Sequence, residues 1–287
     1  MTTITSRDNK WLKSFRAALR GKGANGSGNE PIGIEGPKLV EEALRSGLEV
    51  EALLVSESGE HGAAQVLKAA SESETGISRS HILRTTDKLF EGVSGTEAPQ
   101  GVAALFRQPA WGLDDVLHGV GATRGNSPLV VVLAAIQDPG NVGTILRSAE
   151  AFGATGAIAT RGTADPWSPK ALRASAGSTL RLPLLRGMAI PVLLAQLRIA
   201  GVKIYAASSA RNGHEVGASA RADLRESAAI FVGNEGAGLP SEVTSAADAT
   251  ISIPTMETVE SLNAGVAASI VLYEAARQRA EAARGEG

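Results

Sequence analysis

The chain has no cysteine, and its 287 residues include only five phenylalanines, three tryptophans and two tyrosines. The first absence excludes disulfides, thiolate metal sites and every mechanism that uses a cysteine nucleophile. The second implies cores of aliphatic side chains and alanine, which a hydrophobic fraction of 43% supplies. An excess of one charge is lacking too. With 28 basic and 30 acidic residues the net charge is -2, so no global field draws the molecule onto nucleic acid, although local patches can. No apolar run approaches the ~18 residues of a membrane span, and Met1 to Arg7 does not read as a signal peptide. The expectation is a soluble cytoplasmic protein. His61, His81, His118 and His214 are scattered without ligand spacing, so no metal is expected. No G-x-S-x-G hydrolase turn occurs.

Strand-like and helix-like segments alternate along the chain. After a first helix, Gly21 to Glu30 is a glycine-rich loop by composition. Strands are then expected at Ile32–Glu35, Ala52–Ser56, His81–Arg84 and Val102–Phe106, with helices at Lys38–Ser46, Ala63–Ala70 and Thr86–Glu91. Residues 108–127, where Pro109, Trp111-Gly112 and Gly119 to Ser127 break the pattern, read as a linker between a domain at 1–107 and one at 128–287. In the second domain strands are expected at Leu129–Ile136, Ala157–Thr160, Lys203–Ala207, Ala229–Gly233 and Thr250–Ile253. Helices fit Asn141–Phe152, Pro169–Ser178, Pro191–Ile199, Pro240–Ala246 and Ser261–Arg284. Ser168-Pro169 is a good helix start, with serine as cap and proline in the first turn. This alternation predicts an α/β fold with a mostly parallel sheet covered on both faces.

Three strand ends carry polar residues suited to chemistry. In Gln137-Asp-Pro-Gly-Asn141-Val-Gly-Thr-Ile-Leu-Arg147 a buried strand runs through a Pro-Gly turn into a helix, with Asn141 a strong N-cap type and Arg147 two turns in. Strand ends of this kind are where α/β proteins place ligands. In Gly233-Asn-Glu235-Gly-Ala-Gly-Leu-Pro240 a second strand enters a glycine-rich turn. Its glycines do not follow the dinucleotide order, and Glu235 would repel a pyrophosphate. The third segment, Ile253-Pro-Thr-Met-Glu-Thr-Val-Glu-Ser261-Leu262-Asn263, leads into the last helix. Ser261 reads as its cap; Asn263 is better used as an amide that both donates and accepts.

In this order, Asn141…Arg147, Gly233-Asn-Glu235-Gly-x-Gly-Leu-Pro and Ile253-Pro…Ser261-Leu262-Asn263 resemble the three motifs of the SpoU/TrmH family of S-adenosylmethionine-dependent RNA ribose 2′-O-methyltransferases. Asp165-Pro-Trp-Ser-Pro-Lys170-Ala-Leu-Arg173 is similar to the family's segment between the first two motifs, and Gly33-Ile-Glu-Gly36-x-x-Leu-Val40 resembles the L30e-like substrate-binding domain of many members. Thr255-Met-Glu-Thr258 departs from the Met/Gly-rich loop common there. The resemblance implies a C-terminal α/β domain whose chain forms a trefoil knot, and a homodimer through that domain. It implies donor contacts at Gly233, Ile253 and Leu262, and it places Arg147 at the acceptor hydroxyl and its phosphate with Asn141, Glu235, Ser261 and Asn263 around it. The RNA expected on this resemblance is 23S ribosomal RNA, in an antibiotic-resistance or a housekeeping role.

The absence of cysteine favours ribose over pyrimidine C5, whose methylation generally needs a thiolate. Candidate RNA contacts are Lys10, Lys13 and Arg16 on the basic first helix, and Arg161, Lys170, Arg173 and Arg181, read as lying beside the site. Transfer RNA and a base nitrogen are alternative targets within the same superfamily. A non-catalytic RNA-binding protein and an NAD(P)-dependent oxidoreductase are alternatives from other classes; G-x-G-x-x-G is missing after Ile136.

Overall fold

The computed structural model describes residues 2–21, 30–72, 81–119, 127–208, 222–234, 236–256, 258 and 261–285. The loop expected at Gly21 to Glu30 falls mostly outside them. By its contacts the chain divides into two compact units, one of residues 1–110 and 167–181, the other of 111–166 and 182–287.

The first unit contains β1 (Thr2–Thr3), α1 (Lys10–Leu19), β2 (Ile32–Glu35), α2 (Pro37–Arg45), β3 (Val50–Ser56), α3 (Glu60–Glu72), β4 (Ile82–Thr85), α4 (Asp87–Glu91) and β5 (Val102–Phe106). The strands form a mixed sheet in the order β1-β4-β3-β5-β2. Asn9 caps α1 by accepting from the Trp11 amide at 2.9 Å, and Leu12, Phe15 and Leu19 go into the core. A Cβ on Gly33 would stand 2.7 Å from the backbone of Ala18, so glycine there lets β2 and α1 pack in contact.

The second unit begins with α5 (Leu113–His118), inside the stretch expected as linker. Its Val116 and Leu117 join the core, and a Cβ on Gly156 would meet Val116 Cα at 2.6 Å. Then come β6 (Leu129–Ala134), α6 (Pro139–Ala151) and β7 (Gly156–Thr160). Next, α7 (Pro169–Ser175) and α8 (Ser178–Arg181) belong to the first unit. The second unit resumes with β8 (Leu184–Met188), α9 (Ile190–Ile199), β9 (Lys203–Ser208), β10 (Ala228–Gly233), α10 (Ser241–Ala246), β11 (Ala249–Ser252) and α11 (Ala264–Gly285). Every ladder of its sheet is parallel, in the order β11-β9-β10-β6-β7-β8.

All six residues of β6 are buried, as a central parallel strand covered on both faces requires. On one face Val130, Val132, Ile158 and Phe231 pack with Leu193 and Leu197 of α9 and Val243 of α10. Past β11 at the sheet edge the chain returns to the centre, where α11 packs on α6 and β10.

Between β7 and α9 two elements depart from the expectation. β8 was not anticipated: its Leu-Leu-Arg-Gly-Met carries no β-branched residue, Gly187 has φ +73°, and its pairing with β7 shifts register. The helix expected at Pro169–Ser178 breaks at Ala176 (φ +48°) and Gly177 (φ +90°) into α7 and α8. Ser168 caps α7 as expected, accepting from the Ala171 amide at 3.4 Å.

Candidate functional site

The first motif begins where β6 ends. Asp138, not Asn141, caps α6: its carboxylate accepts from the Gly140 amide at 3.2 Å and Pro139 takes the first helical position. Proline is suited to that position because it has no amide to leave unpaired there. Asn141 is therefore in the first turn of α6, half-buried, and its side chain is released from capping. Arg147 lies on the stripe of α6 shared with Gly140 and Thr144. It is exposed and makes no hydrogen bond or ion pair with any described residue.

The second motif is organised by Asn234, a residue that its glycine-rich surroundings do not distinguish from an ordinary turn asparagine. Its Oδ1 accepts from the amides of Gly236 (2.9 Å) and Ala237 (3.1 Å), and its Nδ2 donates to the carbonyl of Ala135 at 3.4 Å. Asn234 thus shapes the turn after β10 and ties it to the turn after β6. Gly233 is required by this turn itself, since a Cβ would lie 2.6 Å from the carbonyl carbon and oxygen of Gly238. Glu235 lies outside the described residues.

The third motif meets the first. Asn263 Nδ2 donates to Asn141 Oδ1 at 2.9 Å, across 122 residues of sequence. Its Oδ1 accepts from the Gly265 amide at 2.9 Å and the Val266 amide at 3.3 Å. Asn263, not Ser261, is therefore the cap of α11, which starts at Ala264. Beyond it, a Cβ on Gly265 would stand 3.0 Å from Thr144 Cγ2, and Ser148 and Ser269 share a hydroxyl hydrogen bond of 2.6 Å. Ser261 is exposed, while Ile253 and Leu262 are half-buried on the loop between β11 and α11.

The second unit, with these three segments, is where the chain matches a known family. The model of the SpoU rRNA Methylase family matches residues 128–273. The chain belongs to this family. The MRM3-like substrate binding domain matches residues 28–104. Among individual relatives, the chain is 34% identical over 243 residues to the 23S rRNA (guanosine(2553)-2'-O)-methyltransferase RlmP of Bacillus subtilis, covering 84% of this chain and 86% of that one. It is 32% identical over 281 residues to a 23S rRNA (uridine(2479)-2'-O)-methyltransferase of Streptomyces viridochromogenes, covering 96% and 92%. The AdoMet-bound rRNA methyltransferase from Sinorhizobium meliloti superposes with a TM-score of 0.77 at 30% identity, over 96% of this chain and 97% of that one.

The basic residues divide between the two units. Lys10 and Lys13 are exposed on α1; Lys10 lies 5.8 Å from the Trp11 ring centroid and Lys13 3.6 Å from Asp8. Arg16 donates to the carbonyl of Gly92 at 3.1 Å. Lys170, Arg173 and Arg181, expected beside the strand-end site, belong by contacts to the first unit. There Pro169 and Leu172 line a crevice with Leu19, Gly33, Ile34 and Leu39, and Arg181 pairs with Glu42. Ala171 and Leu172 of α7 are buried. Arg161 is in the second unit and donates to the Gly187 carbonyl at 3.3 Å. Among the described residues no helix is long and apolar enough to cross a membrane, and no group of three or more potential metal ligands occurs.

Proposed function

We propose that this protein methylates a ribose 2′-hydroxyl of 23S ribosomal RNA, using S-adenosylmethionine. The observation that carries the reading is the junction of three strand-end segments. Asn263 joins Asn141 and Asn234 joins Ala135, while Arg147 on the same helix keeps its charge exposed. The return of the chain from β11 to α6 is read as the passage through which the implied trefoil knot closes.

The residues present suit the donor. The turn after β10 brings glycine backbone without side-chain cover, and half-buried Ile253 and Leu262 add apolar flanks, a lining suited to an adenine. Gly233, Ile253 and Leu262 are assigned to hold it. When bound, S-adenosylmethionine supplies an activated methyl group on a sulfonium. The protein must then align the acceptor oxygen in line and remove its proton. Arginine stays charged in proteins, so Arg147 is assigned to grip the adjacent phosphate and stabilise the developing alkoxide, while the proton passes to a phosphate oxygen or water. Asn141 and Asn263 hold the helix of Arg147 against α11; Ser261 and Glu235 complete the acceptor side.

RNA selection is assigned to the first unit, where Lys10, Lys13, Arg16, Lys170, Arg173 and Arg181 all reside. Deleting residues 1–107 would strip residues 167–181 of their packing, so charge reversal is the cleaner test. Lys170→Glu with Arg173→Glu should weaken RNA binding and flatten its salt dependence. On α11, Val266, Ile270 and Tyr273 are 47%, 40% and 55% exposed at helical spacing; we read this stripe as the surface for a second copy, and Ile270→Asp should give monomers by sedimentation.

The deciding experiment incubates unmodified 23S rRNA transcript with the protein and labelled S-adenosylmethionine, then maps alkali-resistant positions. Only a 2′-O-methyl group blocks alkaline cleavage at its own nucleotide. Arg147→Ala should abolish the signal and Arg147→Lys should reduce it sharply. Labelled RNA without alkali resistance would overturn the ribose assignment, and full activity of Arg147→Ala would overturn that of the arginine.

A further inference from the structure

Ala135, the first residue past β6, has φ +56°, a left-handed backbone that an L side chain rarely adopts. It is held from both sides. Its amide donates to Thr160 Oγ1 of β7 at 3.3 Å, and its carbonyl accepts from Asn234 Nδ2 at 3.4 Å. The flanking backbone is fixed as well. The Leu133 carbonyl accepts hydroxyls from Thr160 (3.2 Å) and Thr163 (2.8 Å), and the Ile136 carbonyl accepts the Ala164 amide at 2.8 Å.

In the sheet β6 lies between β7 and β10. Its pairing ends at Leu133 opposite Ala159 and at Ala134 opposite Gly233. Immediately beyond those last rungs, the last residue of β7, Thr160, and the first residue past β10, Asn234, take over and grip Ala135. Four residues later α6 begins, so the Ala135 dihedrals aim the helix that carries Asn141 and Arg147. Thr160 is 2% exposed, so its hydroxyl faces the protein and not the substrate.

We propose that Thr160 and Asn234 are positioning residues for methyl transfer: by clamping Ala135 in its left-handed turn from the ends of both neighbouring strands, they set where Asn141 and Arg147 stand. The inference rests on the reading of α6 as the acceptor side of the site. Thr160 gives the cleaner test, because Asn234 also shapes the turn assigned to the donor.

Thr160→Val keeps the β-branch and volume but removes the hydroxyl; Thr160→Ser keeps the hydroxyl. With 23S rRNA transcript and labelled S-adenosylmethionine, Thr160→Val should lower kcat by about tenfold, as misalignment of reacting groups does. The calorimetric Kd for the donor should stay within about twofold, because its binding loops are not displaced. Thr160→Ser should retain wild-type kcat. Adding Ala135→Gly to Thr160→Val should recover most of the loss, since glycine takes a positive φ without a clamp. Independently of activity, hydrogen exchange over residues 135–142 should quicken in Thr160→Val and slow again in the double variant.

Unchanged kcat and exchange in folded Thr160→Val would overturn the proposal, as would an equal loss in Thr160→Ser or no recovery with Ala135→Gly. If Arg147→Ala proved fully active, the acceptor-side reading would fall, and the exchange result would still judge the clamp.

Discussion

Replacing Asn263 with alanine should destabilise the second unit by about 2 kcal/mol, in two separable parts. The orientation of the amide follows from its neighbours: Oδ1 accepts two backbone N–H groups, from Gly265 and Val266, which leaves Nδ2 to donate to Asn141 Oδ1. The cap contributes about 1 kcal/mol, typical of losing a side-chain oxygen at a helix start. The link to Asn141 adds roughly 1 kcal/mol, a usual net value for one hydrogen bond. For a unit of this size each kcal/mol moves Tm by about 2–4 °C, so Asn263→Ala should melt roughly 4–8 °C early. Asn263→Ser separates the parts, because serine caps well but is too short to reach Asn141; it should lose about half as much. Calorimetric melts of the wild type, Asn263→Ser, Asn141→Ala and the double variant complete the cycle. A coupling of about 0.5–1 kcal/mol between the two sites is expected. Equal Tm values for Asn263→Ser and Asn263→Ala would refute the cap, and zero coupling would refute the link.

Gly233→Ala should introduce about 1–3 kcal/mol of strain, because the new Cβ would meet the backbone of Gly238 and Leu239; weaker donor binding by calorimetry should accompany it, and an unchanged Kd would separate this turn from the donor site. Arg279 is half-buried and donates to the carbonyls of Ser127, Pro128, Leu224 and Glu226 at the starts of β6 and β10. Arg279→Met should therefore cost about 3 kcal/mol in urea unfolding, since it leaves several carbonyls without donors. Asp248 titrates below the ordinary carboxylate value: burial pushes it up, but the Ile204 amide and the Arg198 guanidinium outweigh that. Its folded value being depressed, the carboxylate stabilises above about pH 4 and loses its effect as pH falls through the lower folded value. The Tm gap between wild type and Asp248→Asn should thus be present at neutral pH and close in acid; a gap that persists there would refute the assignment.

Some of this was legible in the residues and some was not, for identifiable reasons. β6 was evident because six consecutive apolar residues, all buried here, admit few alternatives to a central parallel strand. Element boundaries depended on competition between adjacent capping residues. Asp138 and Asn141 are both good caps, as are Ser261 and Asn263, and local preference does not rank them. Packing does: α11 begins where Gly265 can approach Thr144 closely, which assigns the cap to Asn263. Trp167–Arg181 lies between motifs of the second unit in sequence, yet its buried Leu172 finds its apolar partners in the first.

What the sequence by itself determined was the alternation of most strands and helices and the stock of chemical groups: an arginine, two asparagines and a serine near strand ends, and no thiol. Local propensity and apolar period fix such things, because they act over a few residues. Tertiary structure alone decided which of these groups meet. The Asn141–Asn263 and Asn234–Ala135 hydrogen bonds span 122 and 99 residues. They exist because the sheet order places β10 beside β6 and the chain returns from the edge strand to pack α11 on α6.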